Sequence, residues 1–269
     1  MAARTAVFAA ASPWVRDRFA ESPRDGVVLH GGAQAVYVRV EDTVLAVVAR
    51  GGVQVPCGAH TTLASLTGLD GTGTLPSAGA PVRLGDGSLS VGSADVRVAR
   101  LIDARAPRFD ATDASAMLAR LRTVPLDPAV VGELPADALD GLRDGDPSAL
   151  DHLLGLGSGL TPLGDDVTCG WLATMVAAAH PAAAPVSDRV LQIATARTTA
   201  LSATLLHRST EGDVLPNFAR VLHQLRQPAS PDEPAASVAA LARIGHTSGT
   251  GLLLGLTLAL DHLVSRSCP

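Results

Sequence analysis

The sequence predicts an α+β fold in which an N-terminal antiparallel β barrel or sandwich is followed by an all-α C-terminal domain. Two observations support this prediction. From Gly26 to about Ala104, β-branched residues alternate with polar ones between glycine-rich turns, as in short strands. After Pro107 the apolar residues recur at helical spacing instead. We therefore place the β domain at residues 1–106 and the helical domain at residues 107–269.

Short β-branched runs separated by turn residues predict the strands of the first domain. Glu41-Asp42 separates two such runs and Gly85-Asp86-Gly87 separates two others, so each pair is expected to form a hairpin. The predicted strands comprise residues 36–40, 44–48, 81–84, 88–91 and 95–101. Several short strands with such turns are typical of a small barrel or sandwich.

Helical periodicity and helix start signals predict the elements of the second domain. The predicted helices comprise residues 114–121, 148–154, 187–207, 217–225, 235–244 and 250–264. A further helix through Trp171 and Met175 is apolar nearly all round, so we expect it to be buried. Residues 227–234 are rich in Pro, Ser and Asp and are expected to form an exposed connection.

The composition excludes several classes of protein. A formal net charge of -5 argues against nucleic-acid binding, which needs a basic surface. The sequence contains no lysine, which excludes a nucleotide-binding P-loop and a Schiff-base lysine. Cys57, Cys169 and Cys268 form no CxxC pair, so neither a zinc site nor a disulfide framework is expected. The apolar runs at residues 167–179 and 252–260 are shorter than the ~20 residues of a bilayer span. We therefore expect a cytoplasmic protein.

The strongest functional signal is the run Gly-Leu-Gly-Ser-Gly-Leu-Thr-Pro-Leu-Gly-Asp-Asp at residues 155–166. Its glycines let a ligand approach the main chain, and Thr161 and Pro162 suit the N-cap and first position of the following helix. Free N–H groups at that helix start would favour a phosphate or carboxylate. Asp165 and Asp166 would then need a Mg²⁺ ion or would bind ligand N–H groups. The alternative is that the acids only cap the helix and the glycines only turn the chain.

A second motif, Gly245-His246-Thr247-Ser248-Gly249, is a polar loop before an apolar helix. Ser248 or Thr247 would cap that helix, and His246 would donate a hydrogen bond to an oxyanion or phosphate. A plain helix start with a surface histidine is the equal alternative.

The third motif, Arg-Thr-Thr-Ala-Leu-Ser at residues 197–202, falls inside the predicted helix 187–207. Thr198 and Ser202 lie four positions apart and would share a helical face. Arg197 suits a carboxylate or phosphate. Hydroxyl groups on buried helices often only bond to the preceding turn, which is the alternative interpretation.

Other polar residues carry less signal. Cys57 and His60 lie close together in the chain, but no oxyanion motif accompanies them, so no catalytic pair is predicted there. Four histidines are expected at the surface or at helix ends: His152, His180, His207 and His262.

In this order, the three motifs resemble those of one bacterial family, which includes the AllH-type subunit of oxamate carbamoyltransferase. The resemblance covers most of the C-terminal half, and the N-terminal half fits only in its β-rich character. It implies carbamoyl transfer between oxalurate and phosphate in purine (allantoin) breakdown, and partner subunits that include an acyl-CoA-synthetase-like chain. Two positions depart from the family pattern, because Ser158 stands where proline is usual and Leu163 where serine is usual.

The resemblance implies roles for the motif residues. Asp165, Asp166 and His246 are the predicted catalytic residues, and the aspartate pair is the predicted Mg²⁺ site, if a metal is used. The predicted substrate-binding residues are Gly157, Gly159, Thr161, Gly164, Arg197, Thr198, Thr199, Ser202, Ser248 and Gly249. The expected ligand is a small anion such as carbamoyl phosphate, oxamate or oxalurate. On this interpretation, Asp165→Asn abolishes turnover and leaves the melting temperature unchanged.

Two other functions stay open on the sequence. The first is a non-catalytic subunit that binds a nucleotide or carboxylate and positions a catalytic partner. The second is a Mg²⁺-dependent small-molecule hydrolase that uses the aspartate pair.

Overall fold

The structure is a computed structural model that describes residues 4–69, 71 and 73–267. The chain divides into two compact units, Met1–Ala104 and Arg105–Pro269. The first is β-rich and the second is helical, so the predicted α+β class is confirmed.

The β-rich unit contains a closed barrel. Its strands are β1 (Thr5–Ala11), β2 (Arg24–Gly31), β3 (Ala35–Val40), β4 (Thr43–Val48), β5 (Gly58–Thr61), β6 (Pro81–Gly85), β7 (Ser88–Val91) and β8 (Ala94–Leu101). Around the barrel they follow the order β1-β5-β4-β3-β2-β6-β7-β8. The prediction of a wholly antiparallel sheet is wrong, because β1 pairs with β8, and β4 with β5, in parallel. The chain between β4 and β5 crosses over instead of turning back in a hairpin.

The barrel core is built from alternating positions, as the sequence pattern predicts. Val36, Val38 and Val40 of β3 point inward and are buried, whereas the intervening Arg39 is exposed. The hairpins β3–β4 and β6–β7 are confirmed. Strand β1 and the helix α1 (Pro13–Ala20) were not predicted, because the alanine-rich β1 has a weak strand signal and is defined by pairing with β5 and β8.

The helical unit is arranged around two central helices, α6 (Leu163–Ala177) and α11 (Ser248–Ser267). The other helices are α2 (Ala114–Leu121), α3 (Pro128–Val131), α4 (Ala136–Asp144), α5 (Leu150–Leu153), α7 (Ala183–Arg197), α8 (Ala200–Thr210), α9 (Pro216–Arg226) and α10 (Glu233–Ala242). The prediction for residues 114–121 matches α2, and the expected burial of the helix through Trp171 is confirmed, because Val176 is the one residue of α6 that is not buried.

The prediction of one helix over residues 187–207 is wrong, because the helical structure is interrupted between α7 and α8. Thr198 has an extended backbone with φ −138° and ψ −175°, and α8 starts at Ala200. Thr199 caps α8 by accepting a hydrogen bond from the Ser202 N–H at 3.1 Å. The third motif is therefore a junction between two helices.

Three glycines bring α6 and α11 into backbone contact. A Cβ atom at Gly255 would lie 2.0 Å from the Val167 carbonyl oxygen, and one at Gly170 would lie 2.3 Å from the Leu252 carbonyl oxygen. At Gly251 the nearest atom would be the Asp166 Cβ, at 2.8 Å. Any side chain at these positions would therefore force the helices apart.

Helix α11 is longer than the apolar run 252–260 suggested. By length and composition alone, Ser248–Arg266 would suffice to cross a membrane, but 67% of its apolar window is buried within the chain. Its apolar side chains are used in packing against the other helices, chiefly α6.

Candidate functional site

The Asp165 carboxylate joins the first and third motifs. This side chain is fully buried on α6. Its Oδ1 atom accepts a hydrogen bond from the Gly155 N–H at 2.8 Å, and its Oδ2 atom accepts from the Ser202 hydroxyl at 2.6 Å and from the Thr198 hydroxyl. One carboxylate therefore holds the glycine-rich loop, the α7–α8 junction and α8 together.

Burial and hydrogen bonding have opposite effects on the pKa of Asp165. Desolvation raises the pKa above its ordinary value, and the bonds from Ser202, Thr198 and Gly155 lower it in part. These three donors occupy both oxygens, so Asp165 positions the loop and has no oxygen left without a partner.

Two glycines of the loop are required by close backbone approach. Gly155, with φ +80°, has its Cα beside the Arg197 carbonyl, and a Cβ would lie 2.2 Å from that oxygen. Gly157, with φ +118°, covers the first amide of α6, where a Cβ would lie 2.6 Å from the Leu163 nitrogen. In this structure the protein's own backbone approaches these two glycines, and their predicted role in ligand approach stays a prediction.

Gly164 and Gly159 have different surroundings. A Cβ at Gly164 would lie 2.0 Å from the Leu153 carbonyl oxygen, so this glycine lets α5 meet α6. Gly159 has φ +93° and nothing within 4 Å of its Cβ position, so its surroundings are open.

The predicted cap of α6 is wrong, whereas the anion site at the start of this helix stays a prediction. The N-cap residue is Pro162, not Thr161, and the helix begins at Leu163. The first-turn amides are also occupied, since the Gly164 N–H donates to the Leu156 carbonyl at 3.0 Å and those of Asp165 and Asp166 donate to the Pro162 carbonyl. The loop therefore folds back over the start of its own helix and supplies acceptors to these three N–H groups.

Asp166 lies on the other flank of α6 and differs from Asp165. It is 6% exposed, and its Oδ2 atom is buried with no hydrogen-bond partner among the described residues. Desolvation raises the pKa of Asp166 to about 8, the nearby Ser248 hydroxyl lowers it in part, and the Asp165 carboxylate adds to the rise.

The hydroxyl groups of Thr161 and Ser248 join the first and second motifs. They are hydrogen-bonded to each other at 2.9 Å, and both residues are half-buried. Ser248 is the first residue of α11, and both hydroxyls lie near the Asp166 carboxyl. The two ends of α6 and α11 thus meet in a small polar group made of Thr161, Asp166 and Ser248, which we call the α6–α11 polar group.

Thr199 fixes the exposed part of the loop. Its hydroxyl donates to the Leu160 carbonyl at 2.6 Å while it caps α8. Between these anchors Leu156 and Leu160 are 38% and 47% exposed. The loop therefore presents two apolar side chains to solvent.

Arg197 and His246 are not brought to the carboxylates. The Arg197 guanidinium is exposed and donates to the Asp151 carbonyl, on α5. His246 is exposed, and no hydrogen bond between described residues joins it to Asp165 or Asp166. Gly249, by contrast, is buried, with its N–H bonded to the Ile244 carbonyl at 3.0 Å.

The predicted Mg²⁺ site is not supported by the donor set. Within residues 4–69, 71 and 73–267, no group of three or more His, Cys, Asp or Glu side chains is placed to hold a metal ion. Both oxygens of Asp165 already accept hydrogen bonds, one from an N–H group and two from hydroxyl groups.

Two features of this region were not predicted. His262 was expected at the surface, but it is 5% exposed, with its Nδ1 atom 2.7 Å from the Arg143 carbonyl oxygen and its ring edge-on to Trp171. The close contact between α6 and α11 was also missed, although Gly251 and Gly255 have the four-residue spacing that allows helices to approach closely.

Residues 153–260 match the family described as oxamate carbamoyltransferase subunit AllH. Over these residues the chain is similar to the AllH family, as the three motifs predicted. The matched segment contains all three motifs and the α6–α11 polar group, but fewer than half of the 269 residues, and the β barrel lies outside it. The AllH description names a subunit, which implies partner subunits in a complex. No curated protein and no solved structure matches the chain.

Proposed function

We propose that this chain is a subunit of an oxamate carbamoyltransferase and that its substrate site lies at the α6–α11 polar group. The observation that carries the proposal is the convergence of all three family motifs on two adjacent aspartates. Asp165 joins the glycine-rich loop to Thr198 and Ser202, and Asp166 lies beside Thr161 and Ser248. A segment that served only as packing would not need two buried carboxyl groups.

The proposed reaction converts oxalurate and phosphate to oxamate and carbamoyl phosphate. A phosphate oxygen forms a bond to the carbamoyl carbon, the bond from that carbon to the oxamate nitrogen breaks, and the nitrogen takes up the proton that phosphate loses. No covalent bond to the protein is needed, so positioning and hydrogen bonding suffice for the protein's share of this step.

The residues divide into two roles under this proposal. Asp165, Thr198, Ser202 and the loop glycines Gly157 and Gly159 position the site. Asp166, Thr161 and Ser248 face the substrate. His246 remains the predicted residue for proton transfer. Arg197 is anchored to α5 through the Asp151 carbonyl, and Thr199 holds the loop through the Leu160 carbonyl. The cytoplasmic location also stays a prediction.

A second candidate function is an assembly subunit that binds a partner through the loop. The exposed Leu156 and Leu160 favour it, because two apolar side chains on one glycine-rich loop suit a protein contact. In that case the polar group would only stabilise the loop. No observation on the described residues favours a Mg²⁺-dependent hydrolase.

The test is the turnover of the complex reconstituted with its partner subunits, including the proposed acyl-CoA-synthetase-like chain. The double variant Thr161→Val, Ser248→Ala removes both hydroxyls and should lower kcat/KM by about a hundredfold or more. Asp188→Asn, at an exposed position of α7, is the matched control. Full activity of the double variant contradicts the proposed substrate site. Loss of complex formation in Leu156→Ser, Leu160→Ser, with the double variant active, favours the assembly function.

A further inference from the structure

Near the motifs, Asp166 has a buried side-chain oxygen without a hydrogen-bond partner among the described residues. The side chain is nine-tenths buried, and Oδ2 accepts no hydrogen bond from any described residue. Its nearest polar neighbours, Thr161 and Ser248, are bonded to each other. A buried polar atom without a partner is unfavourable, so a ligand that supplies a donor there gains the interaction in full.

The position of Asp166 limits how its neighbours can satisfy it. Gly251 on α11 faces the Asp166 Cβ so closely that a side chain at 251 would clash, and Leu163, which is 1% exposed, packs against the same glycine. The remaining side is occupied by the half-buried Thr161 and Ser248. Both residues are partly exposed and both hydroxyls interact with the Asp166 carboxyl, so a ligand that reaches this carboxyl also meets these two hydroxyls.

From this geometry we infer that Asp166 recognises the primary carboxamide group, H₂N–C=O, of the substrate. This inference rests on the proposed function. Oxamate carries this group next to its carboxylate, and in oxalurate the same nitrogen bears the carbamoyl group and keeps one N–H. A carboxyl group pairs with a carboxamide, because the carboxyl oxygen accepts the amide N–H, and the hydroxyls beside it donate to the amide carbonyl.

The same arrangement discriminates against a carboxylate in the place of the carboxamide. A carboxylate has no N–H to offer to Oδ2, and transfer of its charge into this buried surrounding is unfavourable. Asp166 is in this sense a specificity residue, which selects the amide end of oxamate. Selection of the anionic end is left to other groups.

The experiment measures binding of three probes to the full-length chain by titration calorimetry: oxamate, oxalate and N,N-dimethyloxamate. Oxalate replaces the carboxamide by a carboxylate, and the dimethyl compound removes both N–H donors. We expect oxamate to bind at least about tenfold more tightly than either analogue, which is the effect of one lost hydrogen bond to a buried polar group.

Variants separate the role of Asp166 from general effects. Asp166→Asn offers an N–H donor as well as an acceptor, so the preference for oxamate over oxalate should shrink to about threefold or less. Thr161→Val, which leaves Asp166 in place, should weaken oxamate binding and keep the preference. Asp188→Asn should change neither. Circular dichroism checks that each variant is folded.

The outcomes distinguish this inference from the proposed function. Equal binding of the three probes, no oxamate binding at millimolar concentration, or an unchanged preference in folded Asp166→Asn overturns the inference. If the preference behaves as expected but the reconstituted complex does not transfer carbamoyl groups, the proposed function fails and the carboxamide site stands.

Discussion

The two flanks of α6 hold neighbouring carboxyl groups in opposite ways. On the flank that faces the loop and α8, Asp165 accepts three hydrogen bonds, whereas on the flank that faces α11, Asp166 keeps an oxygen without a partner. Burial raises the pKa of both groups. Burial alone therefore does not assign a role to a buried acid, and the donors around it do.

The largest effect is expected for Asp165→Ala on the loop flank. The substitution leaves the Gly155 N–H and the hydroxyls of Thr198 and Ser202 without their shared acceptor, inside the protein. We expect a loss of about 3–5 kcal/mol in the free energy of unfolding, measured by urea denaturation.

Asp165→Asn retains one acceptor oxygen and should cost less than Asp165→Ala, but still lower the melting temperature. The structure thereby revises the expectation from sequence that this variant is thermally unchanged. A loss below about 1 kcal/mol in Asp165→Ala would show that the three bonds do not hold the loop flank together.

The next effect concerns the α11 flank. Gly255→Ala places a Cβ 2.0 Å from the Val167 carbonyl oxygen and 2.7 Å from the Trp171 nitrogen, so the helices must separate. We expect a loss of about 2–3 kcal/mol, offset in part by the better helix propensity of alanine. The near-UV circular dichroism of buried Trp171 should change as well.

Gly159→Ala is the control for this packing effect. Gly159 has open surroundings and a positive φ, so alanine there is strained by about 1 kcal/mol without a clash. The Trp171 signal should stay as in the wild type. A larger loss in Gly159→Ala than in Gly255→Ala would contradict close packing of α6 against α11.

The last effect is a pH dependence on the α11 flank, which accumulates over several pH units. An aspartate in the unfolded chain ionises near pH ~4, whereas folded Asp166 has a pKa of about 8. Between these values the folded state binds more protons than the unfolded state, so its stability falls as pH rises. Asp166→Asn removes this dependence, and its stability relative to the wild type should rise by at most about 1.4 kcal/mol per pH unit.

The measurement is urea denaturation of the wild type and of Asp166→Asn from about pH 5 to about pH 8. This range lies roughly between the pKa of an aspartate in the unfolded chain and that of folded Asp166. Asp188→Asn, which alters an exposed acid, should differ from the wild type by a constant amount. A flat difference for Asp166→Asn would show that Asp166 is ionised in the folded protein.

Much of the fold was predictable from the sequence because it is encoded locally. The alternation of valines in β3 and the turn Gly85-Asp86-Gly87 defined two hairpins, and helical spacing located α2 to the residue. Parallel pairing of β4 with β5, and the strand β1, depend on contacts distant in sequence. Periodicity contains no information about such pairs.

The site was predictable in its members but not in its geometry. Thr198 and Ser202 were grouped because four residues separate them on a helix, yet they meet at Asp165 across a break between two helices. The break follows from tertiary bonds to Asp165, and helix propensity cannot register them. Likewise, no local signal distinguishes Asp165 from Asp166. Their surroundings differ because Asp165 faces α8 and Asp166 faces α11.

The glycine contacts between α6 and α11 also determine where the protein can move. The two helices are in close contact at Gly170, Gly251 and Gly255, so a rotation or sliding of one helix against the other would cause a steric clash. Under the proposed function, the opening that admits a substrate to Asp166 arises in the loop around Gly159, because no atom lies within 4 Å of the Cβ position there. The rate of substrate entry would then depend on the backbone torsions of this loop, while the contacts between α6 and α11 stay unchanged.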